Sequence, residues 1–327
     1  MIDLNDKVIL VTGGTGSFGK MFCRTVLERF NPRKLIVFSR DELKQHEMQF
    51  DPAFREQSAM RYFIGDVRDV SRLEMAFRDV DYVVHAAALK HVTAAEYNPF
   101  ECIRTNVHGA ENVVTAAIRS DVKAVLALSA DKAVSPINLY GASKLASDKI
   151  FVAARNLVGA DGPKFSVVRY GNVVGSRGSV VPLFQRLIDQ GADTIPITDV
   201  RMTRFWITLR KGVDFVLSSM GDMNGGEIFI PKIPSMRMID LAEAMSPGIK
   251  TEIIGIRPGE KLHEAMITED DARSTLEYED RFVVLPVVSG DDIPDGGSRV
   301  AENFRYASDN NSDWLTHDQV CELLNDL

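Results

Sequence analysis

Short runs of Val, Ile, Leu and Phe recur along the first half of the chain, separated by stretches with helical spacing of apolar residues, and this alternation restricts the fold more than any other feature. The runs are Lys7–Val11, Lys34–Phe38, Arg61–Ile64, Tyr82–His85, Ala124–Leu128 and Phe165–Arg169. They are nearly all apolar, as strands are when both faces of their sheet are covered. The amphipathic stretches Phe18–Phe30, Leu73–Phe77, Phe100–Arg119 and Lys144–Leu157 supply that cover. Such alternation predicts an α/β fold with parallel strands joined by right-handed helical crossovers.

After about Gly171 the rhythm loosens. A helix is expected at Val180–Gln190, a strand at Glu227–Ile230, a helix at Ile239–Met245 and a short closing helix at Thr316–Leu324. Gly, Asp and Pro dominate Val287–Ser298, which reads as an exposed linker. The expected organisation is a nucleotide-binding domain with reactive residues over 1–172, a smaller substrate-binding region over 173–286 whose 227–230 strand is a candidate to return to the sheet, and a linker with a C-terminal helix over 287–327.

The 327 residues carry 38 Lys and Arg against 46 Asp and Glu, a net charge of −8. A net anion has no generic attraction for nucleic acid or anionic lipid, so neither is expected as a partner. No apolar stretch is long enough to span a bilayer. The first residues are acidic and lead directly into an apolar run, unlike a secretory leader. Cys23, Cys102 and Cys321 are scattered and odd in number, which fits a reducing cytoplasm better than a disulfide framework or a zinc site, and His85 and His91 lack metal-ligand spacing. No metal is expected.

The first strand runs into Gly13-Gly14-Thr15-Gly16-Ser17-Phe18-Gly19, and a helical pattern follows at once. Gly13 permits a tight turn, Gly16 lets backbone approach a pyrophosphate, and Gly19 permits close packing, with the phosphates on free N–H groups at the helix N-terminus. The end of the second strand bears on the choice between NAD and NADP. Ser39, Arg40 and Lys44 suit a 2′-phosphate, whereas Asp41 or Glu42 would bind a free ribose hydroxyl. The cations favour NADP. Gly65-Asp66-Val67 ends the third strand, where Asp66 either accepts from the adenine amino group or caps the next helix. The small residues Ala86, Ala87 and Ala88 after the fourth strand let a cofactor lie against backbone.

Tyr140 and Lys144 are four apart, hence on one face of a helix. A phenol titrates near 10 in water, so a tyrosine base needs a nearby ammonium and an oxidised nicotinamide to lower it. Asp131 and Lys132 follow the fifth strand at the mouth of the same crevice, as a proton donor and acceptor pair or as a solvated turn.

Together these motifs resemble the extended short-chain dehydrogenase/reductase family, with a Rossmann-type doubly wound sheet. The more specific resemblance is to the inverting UDP-N-acetylglucosamine 4,6-dehydratases of pseudaminic acid biosynthesis. The joint presence of Asp131-Lys132, Tyr140-x-x-x-Lys144 and Arg257-Pro258-Gly259-Glu260-Lys261 carries it, and the similarity spans nearly the whole chain. The resemblance implies a carbon–oxygen lyase. A hydride passes from sugar C4 to NADP⁺, water leaves across C5 and C6, and the hydride returns to C6 with C5 inverted. By resemblance Asp131 is the acid to the leaving hydroxyl, Lys132 the base at C5, and Tyr140 acts at the C4 oxygen, with Lys144 beside it. Asn106 holds the active-site helix or a water and belongs to the cofactor side.

Lys90 faces the pyrophosphate or sugar by resemblance. Tyr170 and Asn172 end the sixth strand, where Asn172 is placed to bond a substrate phosphate. Thr203, Arg204, Arg257 and Glu260 are expected to recognise UDP, and a homo-oligomer is expected by analogy. One position departs from the pattern: Ala130 stands where these enzymes usually carry Ser or Thr. The rival readings are a UDP-sugar 4-epimerase, a retaining 4,6-dehydratase, and a nucleotide-binding protein without catalysis.

Overall fold

The computed structural model describes residues 2–159, 161–176, 179–286 and 295–325. Strands form at the six apolar runs: β1 (Val8–Thr12), β2 (Lys34–Ser39), β3 (Met60–Ile64), β4 (Tyr82–His85), β5 (Ala124–Ala130) and β6 (Lys164–Tyr170). All pair in parallel, in the order β3-β2-β1-β4-β5-β6. Strand order reverses between β1 and β4, so a crevice opens there at the strands' carboxyl ends. Every residue of β1 is buried, as a doubly covered strand requires.

The sheet continues past β6. The strand Ile228–Pro231 lies parallel to β6, with Ile228 opposite Val167. Arg281–Val284, Thr275–Glu277 and Ser298–Arg299 then add antiparallel, making ten strands among the described residues. The linker expected at Val287–Ser298 is therefore corrected at its end. Residues 287–294 lie outside the described residues, but Ser298 pairs with Glu277 and belongs to the sheet edge. The returning strands form a hairpin around Tyr278–Asp280, which the charge of Glu277, Glu279 and Asp280 obscures in the sequence.

The helix expected over Phe100–Arg119 is also corrected. It is a helix at Pro99–Ile103, a widened π turn at Arg104–His108 and a helix at Gly109–Arg119. Such a turn inserts one residue into the helical ladder and redirects side chains. The active-site helix begins earlier than the pattern shows, at Leu139, and runs to Ala154, because Asn138 caps it by accepting from the Gly141 amide at 2.7 Å.

The large core lies around the parallel sheet. A second, smaller core gathers Phe184, Ile195, Ile197, Trp206, Met236 and Leu241. It sits under a three-stranded sheet of Asn172–Val173, Thr203–Ile207 and Ser235–Arg237, beyond the carboxyl end of β6. Two cores thus flank the crevice, one beneath each side of it.

Candidate active site

A cleft of about 700 Å³ occupies the crevice. One end is built from the first crossover. Gly13 turns the chain at φ +67°, and a Cβ there would stand 2.9 Å from the Ala87 backbone. At Gly19 a Cβ would fall 2.4 Å from Gly14, so this glycine packs α1 (Ser17–Arg29) onto its own loop rather than onto a strand. Thr15, Gly16, Ser17 and Phe18 line the cleft with them, and the α1 amides open into it. Ala86, Ala87, Ala88 and Val67 form the facing wall.

Ser39, Arg40, Lys44 and Asp66 surround the far end of this pocket. Asp41 caps the Glu42–Phe50 helix through the Lys44 amide and pairs with Lys44 Nζ at 2.6 Å. Neither group is therefore free in the way the sequence suggests. Arg40 keeps half its side chain exposed and touches only the edge of Asp66, at 3.5 Å. Asp66 does not cap the following helix. Asp69 does so, and Asp66 instead accepts from Arg68 and faces the cleft.

The other end holds the reactive groups. Tyr140 and Lys144 rise from one face of the Leu139–Ala154 helix, and Lys144 Nζ donates to the Leu128 carbonyl at 2.6 Å. Gly141 lets this helix touch the preceding turn, because a Cβ there would lie 2.3 Å from the Lys132 carbonyl oxygen. Burial pushes the Tyr140 phenol up, with the negative field of Asp131 and Asp148 adding to it. Burial also lowers Lys144, against the pull of Asp148. Desolvation is thus the largest cause at Tyr140, opposite in sign to the lowering that a tyrosine base requires.

Asp131 and Lys132 form a short turn after β5. Lys132 Nζ donates to Asp131 Oδ1 at 3.0 Å, lies 3.4 Å from Asn172 Oδ1 and stands 3.6 Å from Glu264 Oε1. Asp131 is 1% exposed, and burial raises its carboxyl in spite of Lys132. Burial would lower Lys132, but Asp131 and Glu264 together raise it. Ser129, beside Ala130, lines the cleft and its hydroxyl donates to Asp148 at 2.8 Å.

Of the other expected residues, Lys90, Tyr170 and Asn172 line the cleft, and burial lowers the Lys90 ammonium. Asn106 stands behind the wall, in the π turn. Its side chain bonds both backbone groups of Leu89, at 2.8 and 2.9 Å, and donates to Ser143 Oγ at 2.9 Å, fixing the loop after β4 to the active-site helix. Asn106 thus holds the active-site helix, and it does not itself line the cleft.

Thr203 and Arg204 do not line this cleft. Thr203 is buried and bonds His263 and Ser308, and Arg204 donates to the carbonyls of Thr203, Leu262 and Lys261. Both hold the 257–264 segment and neither lines the cleft. Arg257 is exposed and pairs loosely with Glu260 at 3.6 Å, outside the cleft wall. The sequence reading overlooked Glu264 and Lys261. Their signal was an i,i+3 pair of opposite charges entering the apolar strand Ala265–Ile267.

Cleft, crossover and reactive turn together define a nucleotide-binding enzyme scaffold with paired acid–base groups. The chain belongs to the family described as polysaccharide biosynthesis protein, whose profile matches residues 9–286. It is 55% identical, over 98% of each chain, to the inverting UDP-N-acetylglucosamine 4,6-dehydratase of Campylobacter jejuni strain 81-176. It is 43% identical to the UDP-glucose 4-epimerase of Rickettsia akari, over 81% of this chain and 79% of that one. An X-ray structure of Pen from Bacillus thuringiensis superposes with a TM-score of 0.91 at 38% identity, covering 99% of both chains.

Proposed function

We propose that the protein is an NADP-dependent lyase that converts UDP-N-acetylglucosamine to UDP-2-acetamido-2,6-dideoxy-β-L-arabino-hex-4-ulose, a first step toward pseudaminic acid or a related surface-glycan sugar. The observation that carries this reading is the convergence of a buried carboxyl, Asp131, and an ammonium, Lys132, 3.0 Å apart, in the same cleft as Tyr140. A 4-epimerase acts only at C4 and has no use for a second acid–base pair. The 55% identity to an inverting dehydratase supports the same choice over the epimerase.

The first crossover fits a dinucleotide. Gly13 and Gly19 leave no room for side chains, and Gly16 would meet only the Gly13 carbonyl, so backbone amides face the cleft. Arg40 is the cation best placed by exposure for a 2′-phosphate. When bound, the oxidised nicotinamide supplies a hydride acceptor and a positive charge.

Tyr140 takes the C4 hydroxyl proton as the sugar is oxidised, and Lys144 orients and stabilises the phenolate. The resulting ketone acidifies C5–H. One proton shift from Lys132 Nζ to Asp131 Oδ1 produces a neutral amine and a neutral acid at once. The amine then removes the C5 proton, and the acid protonates the departing C6 hydroxyl. The raised carboxyl of Asp131 favours that exchange, and the raised ammonium of Lys132 opposes it. Residues 1–172 hold the cofactor and reactive groups in this reading, and 173–286 hold the uridine end.

Incubation with UDP-N-acetylglucosamine in heavy water tests the assignment. The expected product is a 4-keto-6-deoxy sugar of inverted C5 that carries deuterium at C5, read by NMR. UDP-N-acetylgalactosamine without exchange at C5 would establish an epimerase instead, retained C5 a retaining dehydratase, and no turnover a binding protein.

A further inference from the structure

The Arg257–Glu264 segment, expected to receive substrate, makes its contacts with the reactive turn. Lys261 Nζ donates to the Val134 carbonyl at 2.6 Å, and Asn138, the cap of the active-site helix, donates to the Gly259 carbonyl at 2.7 Å. Arg204 is buried beneath the segment and bonds the carbonyls of Lys261 and Leu262. These bonds carry Glu264 inward until its side chain is 3% exposed. One carboxylate oxygen then lies 3.6 Å from Lys132 Nζ and the other 3.5 Å from Lys261 Nζ.

Packing gives no reason for a carboxylate at this place. A buried carboxylate is costly unless cations or donors compensate it. The Glu264 oxygens meet two ammonium groups, and Oε2 has no hydrogen-bond donor. Burial would raise its carboxyl, yet Lys132, Arg204 and Lys261 hold it below the usual range, while Asp131 is held above. Glu264 is thus held toward its charged form and Asp131 toward its neutral form, each beside the same ammonium.

We propose that Glu264 is a positioning residue for Lys132: a second carboxylate on that ammonium, delivered by the 257–264 segment, it fixes where the amine stands and how readily it releases its proton. The proposal rests on the reading of Lys132 as the base at C5. The groups that act on Lys132 are Asp131 from its own turn, Asn172 beyond β6, Glu264 from the segment and Arg204 from the Thr203–Ile207 strand, while Lys261 meets the other oxygen of Glu264 and Tyr140 feels the field of Asp131 and Glu264.

Glu264→Gln removes one negative charge and keeps the shape. Lys132 then loses its proton at lower pH. Because the pair needs that proton to make its acid, and loss of it to solvent ends activity, the alkaline limb of the kcat/KM profile moves to lower pH. The test pairs that profile, on the cofactor-loaded protein, with the Lys132 ¹⁵Nζ titration in ¹⁵N-lysine-labelled protein, assigned with Lys132→Arg. Both midpoints are expected to fall by about one unit or more, a tenfold change in the amine-to-ammonium ratio at fixed pH. An unmoved ¹⁵Nζ midpoint overturns the proposal. If Glu264→Gln does not fold, Glu264→Asp keeps the charge and withdraws it. A smaller fall is then expected, and no fall overturns the proposal equally. A ¹⁵Nζ shift in a protein that makes no 4-keto sugar would sink the proposed reaction and leave the role of Glu264 standing. Product formation with an unmoved midpoint would do the reverse.

Discussion

The two ends of the cleft are made in different ways. The cofactor end is local: Gly13 to Gly19, Ser39 to Lys44 and Gly65 to Val67 each lie within a few residues and present mostly backbone and small side chains. The reactive end is assembled over long distances. Lys261 meets Val134 from 127 residues away, and Asn138 meets Gly259 from 121. The first end depends on turns that the chain makes by itself. The second depends on the smaller core holding its segment against the sheet. A backbone-built pocket tolerates side-chain change except at its glycines, whereas a side-chain-built pocket fails when any one partner moves.

Substitutions sharpen this contrast. The largest effect is expected for Lys132→Met, which should abolish water loss, at least about a thousandfold in kcat, while nucleotide binding persists. Product at the wild-type rate would remove Lys132 from the chemistry. Next comes Gly141→Ala. The added methyl meets the Lys132 carbonyl at 2.3 Å, and backbone on both sides cannot yield. Over-packing of this kind costs about 1–3 kcal/mol, and the displaced turn should lower kcat by roughly a hundredfold. Denaturant melts and single-turnover rates would show both, and a fully active Gly141→Ala would break the idea that contact between helix and turn sets the geometry. The smallest effect is expected for Arg40→Ala at the local end: about tenfold weaker NADP with NAD little changed, measured by fluorescence titration. Equal losses for the two cofactors would deny Arg40 its 2′-phosphate.

The difference between the ends also decides what could be read from the sequence. The apolar runs located β1 to β6 within about two residues, because strands covered on both faces carry few polar interruptions. The glycine turn and the Tyr140–Lys144 spacing located the cleft for the same reason: their geometry is written in adjacent residues. Periodicity failed where structure departs from a regular repeat. The π turn at Arg104–His108 keeps helical composition, so Phe100–Arg119 reads as one helix. Charge was the poorer guide on the substrate side. Arg204 is expected in UDP recognition, and its guanidinium is buried on three backbone carbonyls. Glu264 has no role assigned from sequence, yet it is buried beside Lys132. Which charges turn inward is settled by tertiary packing alone, and nothing in their spacing announces it.

The strands Ile228–Pro231 and Arg281–Val284 extend the nucleotide-binding sheet without a break. Strands from both halves of the chain consequently share a single hydrogen-bonded plate. Such a plate does not fold about a hinge. Residues 228–231 and 281–284 therefore cannot part from the first half of the chain without breaking that ladder of hydrogen bonds.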